Sequence, residues 1–236
     1  MELAEILQRQ PVWRGSPLLA AVPAVSTGFA PLDAELPGGG WPSGVLTEIL
    51  ADEEGIGELR ILLPALARLT AAGRRVAWLA PPHVPYAPAL AAAGVDLCQL
   101  AVVRAPGRRD ALWAAEQALR AASCSALLAW FRDARYAELR RLALAAETSR
   151  AFVALFRPLA AASESSPAAL RLALHAAPEG LELHILKRRG APARVPLRLP
   201  WNPIVRPADA LGRPAPAASA RGNAREPRRL DLPVHA

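Results

Sequence analysis

Short, nearly continuous apolar runs alternate with longer amphipathic stretches along most of the chain. "VLTEIL" (45–50), "RVAWLA" (75–80), "LAVVR" (100–104), "SALLAWF" (125–131) and "AFVALF" (151–156) have the pattern of strands covered on both faces. Between them, residues 58–72, 86–93, 109–122 and 135–147 carry apolar side chains at helical spacing. Leu62, Leu66 and Leu69 share one face of the first helix, and Gly73 and Gly94 supply C-terminal stops. This alternation predicts an α/β fold: a mostly parallel sheet with helices on both faces. Upstream, "STGFAPLDAEL" reads as a helix capped by Ser26 or Thr27, and "PGGGWPSG" as a turn-rich loop. After residue 167 the pattern changes. Residues 169–175, 180–189 and 194–201 read as three strands with short turns, an antiparallel C-terminal extension on one edge of the sheet. Residues 2–10 predict a short amphipathic helix with Leu3, Ile6 and Leu7 on one face. From about 203 the chain is rich in Pro, Ala and Arg, with little apolar periodicity. The predicted boundaries are an N-terminal arm (1–24), a core (25–202) and a basic flexible tail (203–236).

The 236 residues suffice for one such core. No run of apolar residues is long enough to predict a membrane span, and the N-terminus starts acidic rather than basic, so a cytoplasmic protein is expected. Cys98 and Cys124 are too far apart for a metal knuckle and read as isolated buried thiols. The four histidines are scattered, so no metal site is expected. The net charge of +7 is segregated: residues 187–236 hold 11 Lys+Arg against 3 Asp+Glu, and the rest of the chain is close to neutral. Lys187 is the sole lysine.

The stretch "VLTEILADEEGIGELRILLPAL" has the outline of a phosphate-binding loop: strand, Gly-containing turn, helix. Such a loop cradles phosphate with backbone N–H groups, adds a lysine for the β/γ-phosphates and binds Mg²⁺ through a Ser/Thr hydroxyl. In the turn Ala51, Asp52, Glu53, Glu54, Gly55, Ile56, Gly57, Glu58 the lysine place falls on Gly57 and the hydroxyl place on Glu58. Like charges about 4 Å apart repel by roughly 4 kcal/mol at an effective dielectric near 20, so these four acids oppose a triphosphate. An alternative role suits them: a helix N-terminus favours negative side chains, which makes them dipole partners. No cofactor and no catalytic residue is expected.

"VSTGFAPLDAELPGGGWPSGVLTEIL" and "GRRVAWLAPPHVPYAPALAAAGVDLCQL" resemble the opening and second strand–helix unit of the RecA core, and "GIGELRILLPAL" with the small size is similar to the ImuA family. That resemblance implies a RecA-like P-loop-type core with a degenerate nucleotide site. The carboxylate that activates water in active relatives falls on Pro82, and the Mg²⁺-holding Asp falls on Trp130, with Asp133 as a displaced substitute. Both loops that bind single-stranded DNA in RecA filaments are shortened here. The resemblance also implies partners: an ImuB-like inactive Y-family protein, with RecA, an error-prone polymerase or a second copy as further candidates. The expected function is a non-catalytic adaptor in SOS-induced translesion synthesis and mutagenesis. Two other readings stay open: an SOS-type cell-division inhibitor, another reduced RecA-like protein, which binds the tubulin-like division protein, and a divergent recombinase-type ATPase. Candidate partner or DNA contacts are Leu3, Ile6, Leu7 and Trp13 in the arm, Lys187, Arg188 and Arg189 at a hairpin, and Arg221, Arg225, Arg228 and Arg229 in the tail. Basic tails of this kind bind DNA weakly and without sequence preference.

Overall fold

The computed structural model describes residues 23–190 and 195–200. The predicted arm helix and basic tail lie outside the described residues, and so do Leu3, Ile6, Leu7, Trp13, Arg221, Arg225, Arg228 and Arg229.

The apolar runs form strands. In chain order the elements are β1 (Ala24–Val25), α1 (Ala30–Glu35), β2 (Trp41–Pro42), β3 (Val45–Ala51), α2 (Leu63–Ala71), β4 (Val76–Leu79), α3 (Ala87–Ala92) and β5 (Leu100–Val103). They continue with α4 (Arg108–Arg120), β6 (Ala126–Trp130), α5 (Tyr136–Ser149), β7 (Phe152–Pro158), β8 (Leu170–Ala177), β9 (Gly180–Lys187) and β10 (Leu197–Pro200). β1 and β2 make a small antiparallel ribbon of their own. The other eight strands form one mixed sheet in the order β10-β9-β8-β3-β7-β6-β4-β5. Pairings from β5 through β8 are parallel, and β8-β9 and β9-β10 are antiparallel.

Alternation along the strands sends side chains to two cores. Ile49, Trp78, Leu128, Phe152 and Leu172 pack on one face with α1, α2 and α3, through Leu32, Leu66 and Leu90. Leu46, Leu127, Val153 and Leu155 pack on the other with α4 and α5, through Leu119, Leu139 and Leu142. β3 lies in the middle and is buried on both faces, which is why its sequence is apolar without a polar face.

Two polar residues interrupt β3, Thr47 and Glu48, and both are fully buried. Parallel register sets Glu48 directly beside Arg171 of β8, and Arg157 of β7 projects to the same face of the sheet. Arg171 Nε donates to Glu48 Oε2 at 2.6 Å and Arg157 Nη1 donates to Oε1 at 3.1 Å. The two guanidinium groups then reach outward. Arg171 donates to the carbonyls of Ala161, Ala162 and Glu164. Arg157 donates to the carbonyl of Ala134 and to the Glu164 carboxylate. One buried carboxylate thus fixes three strands, the 159–164 turn and the connection leading into α5.

Several sequence expectations are corrected. The P-loop-type core is overturned, because no helix begins at the turn after β3. Residues 53–62 run through successive turns and α2 starts only at Leu63, with Pro64 in its first turn. The local pattern of Leu62, Leu66 and Leu69 is helical, but Gly55 and Gly57 sit at φ 83° and 100°, left-handed values that interrupt a right-handed helix. Neither Ser26 nor Thr27 caps α1. Its N-cap is Phe29, and Asp33 folds back to accept from Thr27 N–H at 2.8 Å and from Ser26 Oγ at 2.7 Å. "PGGGWPSG" is not loop throughout, because Trp41 and Pro42 pair with Val25 and Ala24. Cys98 is exposed and only Cys124 is buried, with its thiol pushed up to about 11 by desolvation.

Glu48→Ala removes the buried carboxylate that two guanidinium groups share, leaving Arg171 with carbonyl acceptors and Arg157 with Glu164 and a carbonyl. It should cost about 3–5 kcal/mol in urea unfolding. Asp33 gives a pH-dependent contribution. Partial burial raises its pKa, but the hydrogen bonds from Ser26 and Thr27, with Arg68 nearby, outweigh this and hold it below the usual carboxylate range. A depressed folded-state value means stabilisation that is complete above the unfolded carboxylate range and lost as pH falls through the folded value. Asp33→Asn should therefore lower the unfolding midpoint at pH 7 and make little difference near pH 2.

Candidate functional site

The degenerate loop sits at the carboxyl end of β3, beside the ends of β4, β6 and β7, where parallel α/β sheets usually place ligands. Each group that a nucleotide would need has another occupant. The backbone N–H groups of Gly55 and Gly57 point at one acceptor: the Glu58 carboxylate, at 3.1–3.2 Å from Gly55 N and 3.1 Å from Gly57 N. Glu58 therefore does not lie in the first turn of a helix as a dipole partner. Its own carboxylate takes the donors that would otherwise receive an anion.

Below the turn, Trp130 stacks on Phe156 with centroids 4.7 Å apart and 13° between planes, and Trp78 meets Trp130 at 5.7 Å. Trp130 and Phe156 give the recess at the turn an aromatic floor. Around the rim, Glu54 binds Arg132 at 2.6 Å and His83 at 3.3 Å, joining the turn to the segments that follow β6 and β4. Asp52 and Glu53 are exposed beside them, Ala51 ends β3, and Ile56 packs partly against the core. Pro82 and Asp133 are both exposed. Among the described residues no three His, Cys, Asp or Glu side chains converge as metal ligands.

The hairpin cations are partly engaged by the fold. Lys187 Nζ donates to the Ser166 carbonyl at 3.0 Å, and Arg188 binds the Glu35 carboxylate at 2.7 Å and its carbonyl, tying β9 to α1. Arg189 is exposed and lines a shallow apolar recess with Pro37, Pro42 and Leu170.

Sequence reasoning missed the Glu48–Arg157–Arg171 cluster. Its signal was a lone acid inside "VLTEIL", an expensive residue for a doubly covered strand unless it is paired. It also missed a surface on the opposite face of the sheet from α2. A groove between α4 and α5 is floored by Leu112 and Leu142, with Trp113, Arg109, Glu138 and Arg141 on its banks. Trp113 is 61% exposed, a large apolar area for a surface side chain. No helix among the described residues is long and apolar enough to cross a membrane.

Full-length protein titrated with Mg-ATP in a calorimeter should give no binding heat. Glu58→Ala should free the two glycine donors but leave the aromatic stack in place, so ATP binding should remain absent in that variant too.

Residues 44–153 match the family described as "Cell division inhibitor SulA". The chain is 36% identical over 101 residues to the cell division inhibitor SulA of Edwardsiella piscicida, an alignment covering 42% of this chain. The chain spans 60% of the length of that curated relative. The crystal structure of SulA from Pseudomonas aeruginosa aligns with a TM-score of 0.41 and 23% identity, over 48% of this chain and 97% of that one. The family match and the curated relative overturn the resemblance to ImuA. The RecA-like motifs from "PSGVLTEIL" through "GVDLCQL" lie within or across the matched segment, and they are matched there by a different family. The expected ImuB, RecA and error-prone polymerase partners fall with that resemblance, as does the role in translesion synthesis. What the chain is similar to, from the start of β3 to the start of β7, is a group of cell division inhibitors.

Proposed function

We propose that this chain is an SOS-type inhibitor of bacterial cell division, which acts by binding the tubulin-like division protein FtsZ rather than by catalysis. The observation that carries this reading is the SulA match over residues 44–153, a segment that includes the central strand, α2 to α5 and the emptied loop. The site chemistry supports it: the loop's backbone donors are taken by Glu58 and its floor is aromatic, so the scaffold offers surfaces rather than a reaction centre. A binding inhibitor of this kind works in the cytoplasm, where the division protein assembles.

Induced expression of the full chain in undamaged bacterial cells should produce long filaments without septa. The purified chain should lower light scattering from assembling division protein in proportion to its concentration. Normal division at high expression, together with unchanged assembly, would refute the reading.

A further inference from the structure

We propose that His175 and His184 form a binding site for one divalent transition-metal ion, of the class that Zn²⁺ represents, on the hairpin of β8 and β9. The four histidines are scattered along the sequence, yet the fold brings two of them together. Antiparallel register sets His175 opposite Glu182, and His184 stands two residues beyond Glu182 on β9, so the three side chains share one face of the sheet. Leu172, Leu174, Leu181 and Leu183 take the other face, in the core with α1, α2 and α3. The two imidazole rings lie 5.2 Å apart between centroids, with 85° between their planes. Both histidines are partly exposed, so a hydrated ion can reach them.

The spacing suits shared coordination. Metal–nitrogen bonds of about 2.1 Å at tetrahedral angles hold the centroids of two imidazoles roughly 5 Å apart on one ion. The rings meet edge to face. Because χ2 of histidine is a broad, soft torsion, turning the His175 ring aims a nitrogen into the gap without moving the strand. Glu182 prepares the other ligand. Its Oε1 lies 3.0 Å from His184 Nε2, while its Oε2 lies 3.5 Å from Arg198 Nε. A neutral His184 that donates Nε2–H to Glu182 keeps its lone pair on Nδ1. A carboxylate behind a histidine in this way raises its strength as a metal ligand. Among the described residues no three His, Cys, Asp or Glu side chains form a ligand set, so two imidazole nitrogens bind the ion and water fills its other positions. Such a pair selects ions that favour imidazole over Mg²⁺ and Ca²⁺, which take oxygen ligands. The proposal does not rest on the division-inhibitor reading.

The test is long-range proton–nitrogen NMR of the histidine side chains in the full-length chain, titrated with Zn²⁺, with the affinity measured by calorimetry. Zn²⁺ at one equivalent should shift the ring nitrogens of His175 and His184 and leave those of His83 in place, and Mg²⁺ should shift none of them. His175→Gln and His184→Gln, both at partly exposed positions, should each weaken Zn²⁺ binding by at least about ten-fold while the backbone spectrum stays otherwise unchanged. Glu182→Gln should also weaken binding, with both histidines still shifting. No binding heat, shifts confined to other histidines, or an affinity unchanged in either histidine variant would each overturn the site. Undiminished affinity in Glu182→Gln would overturn the part assigned to Glu182.

Discussion

A single buried carboxylate organises the middle of this molecule. Glu48 lies on the central strand, with no exposure to solvent. Burying an ionised carboxylate is unfavourable by many kcal/mol unless opposite charge and hydrogen bonds compensate. Two arginines meet that demand from the strands on either side, and each then binds backbone carbonyls of a connecting segment. The register of β3 with β7 and β8, the path of the 159–164 turn and the approach to α5 follow from where those guanidinium groups must point. A shift of one residue in either pairing would send an arginine to the other face and strand the charge.

At the same end of the sheet, the turn after β3 binds its own carboxylate. Two backbone donors are present and well aimed, because Gly55 and Gly57 adopt left-handed conformations that few other residues tolerate. Glu58 is their acceptor, the rim acids repel further negative charge, and Trp78, Trp130 and Phe156 fill the space behind. The Gly55 and Gly57 donors have a local partner in Glu58, and the rings pack against one another.

Much of the secondary structure was legible, because buried strands and amphipathic helices leave period-specific apolar patterns. β3, β4, β6 and β7 lie on the runs that marked them, and α4 and α5 start within a residue of their predicted positions. The family behind those elements was misread. Strand, glycine turn and leucine-rich helix are a spacing that many α/β proteins share, and "GIGELRILLPAL" carried no group specific to one lineage. Residues 58–62 illustrate the limit: their pattern is helical, yet two left-handed glycines and a carboxylate that turns back hold them in turns. The pairing of Glu48 with Arg157 and Arg171 spans more than 100 residues of chain, and only the sheet order brings it together. The groove at Trp113 was hidden for another reason, since helical spacing reports which side faces the core and not which outward residues neighbouring helices gather.

The interior charge cluster and the occupied loop are compatible with the proposal that this chain inhibits division by contact. That proposal requires nucleotide-independent binding to the tubulin-like division protein. The most direct measurement is the affinity of the purified full-length chain for that protein, by biolayer interferometry, with and without saturating Mg-ATP. The account predicts saturable binding with the same dissociation constant in both conditions. Binding that appears only with Mg-ATP, or no binding in either condition, would contradict it.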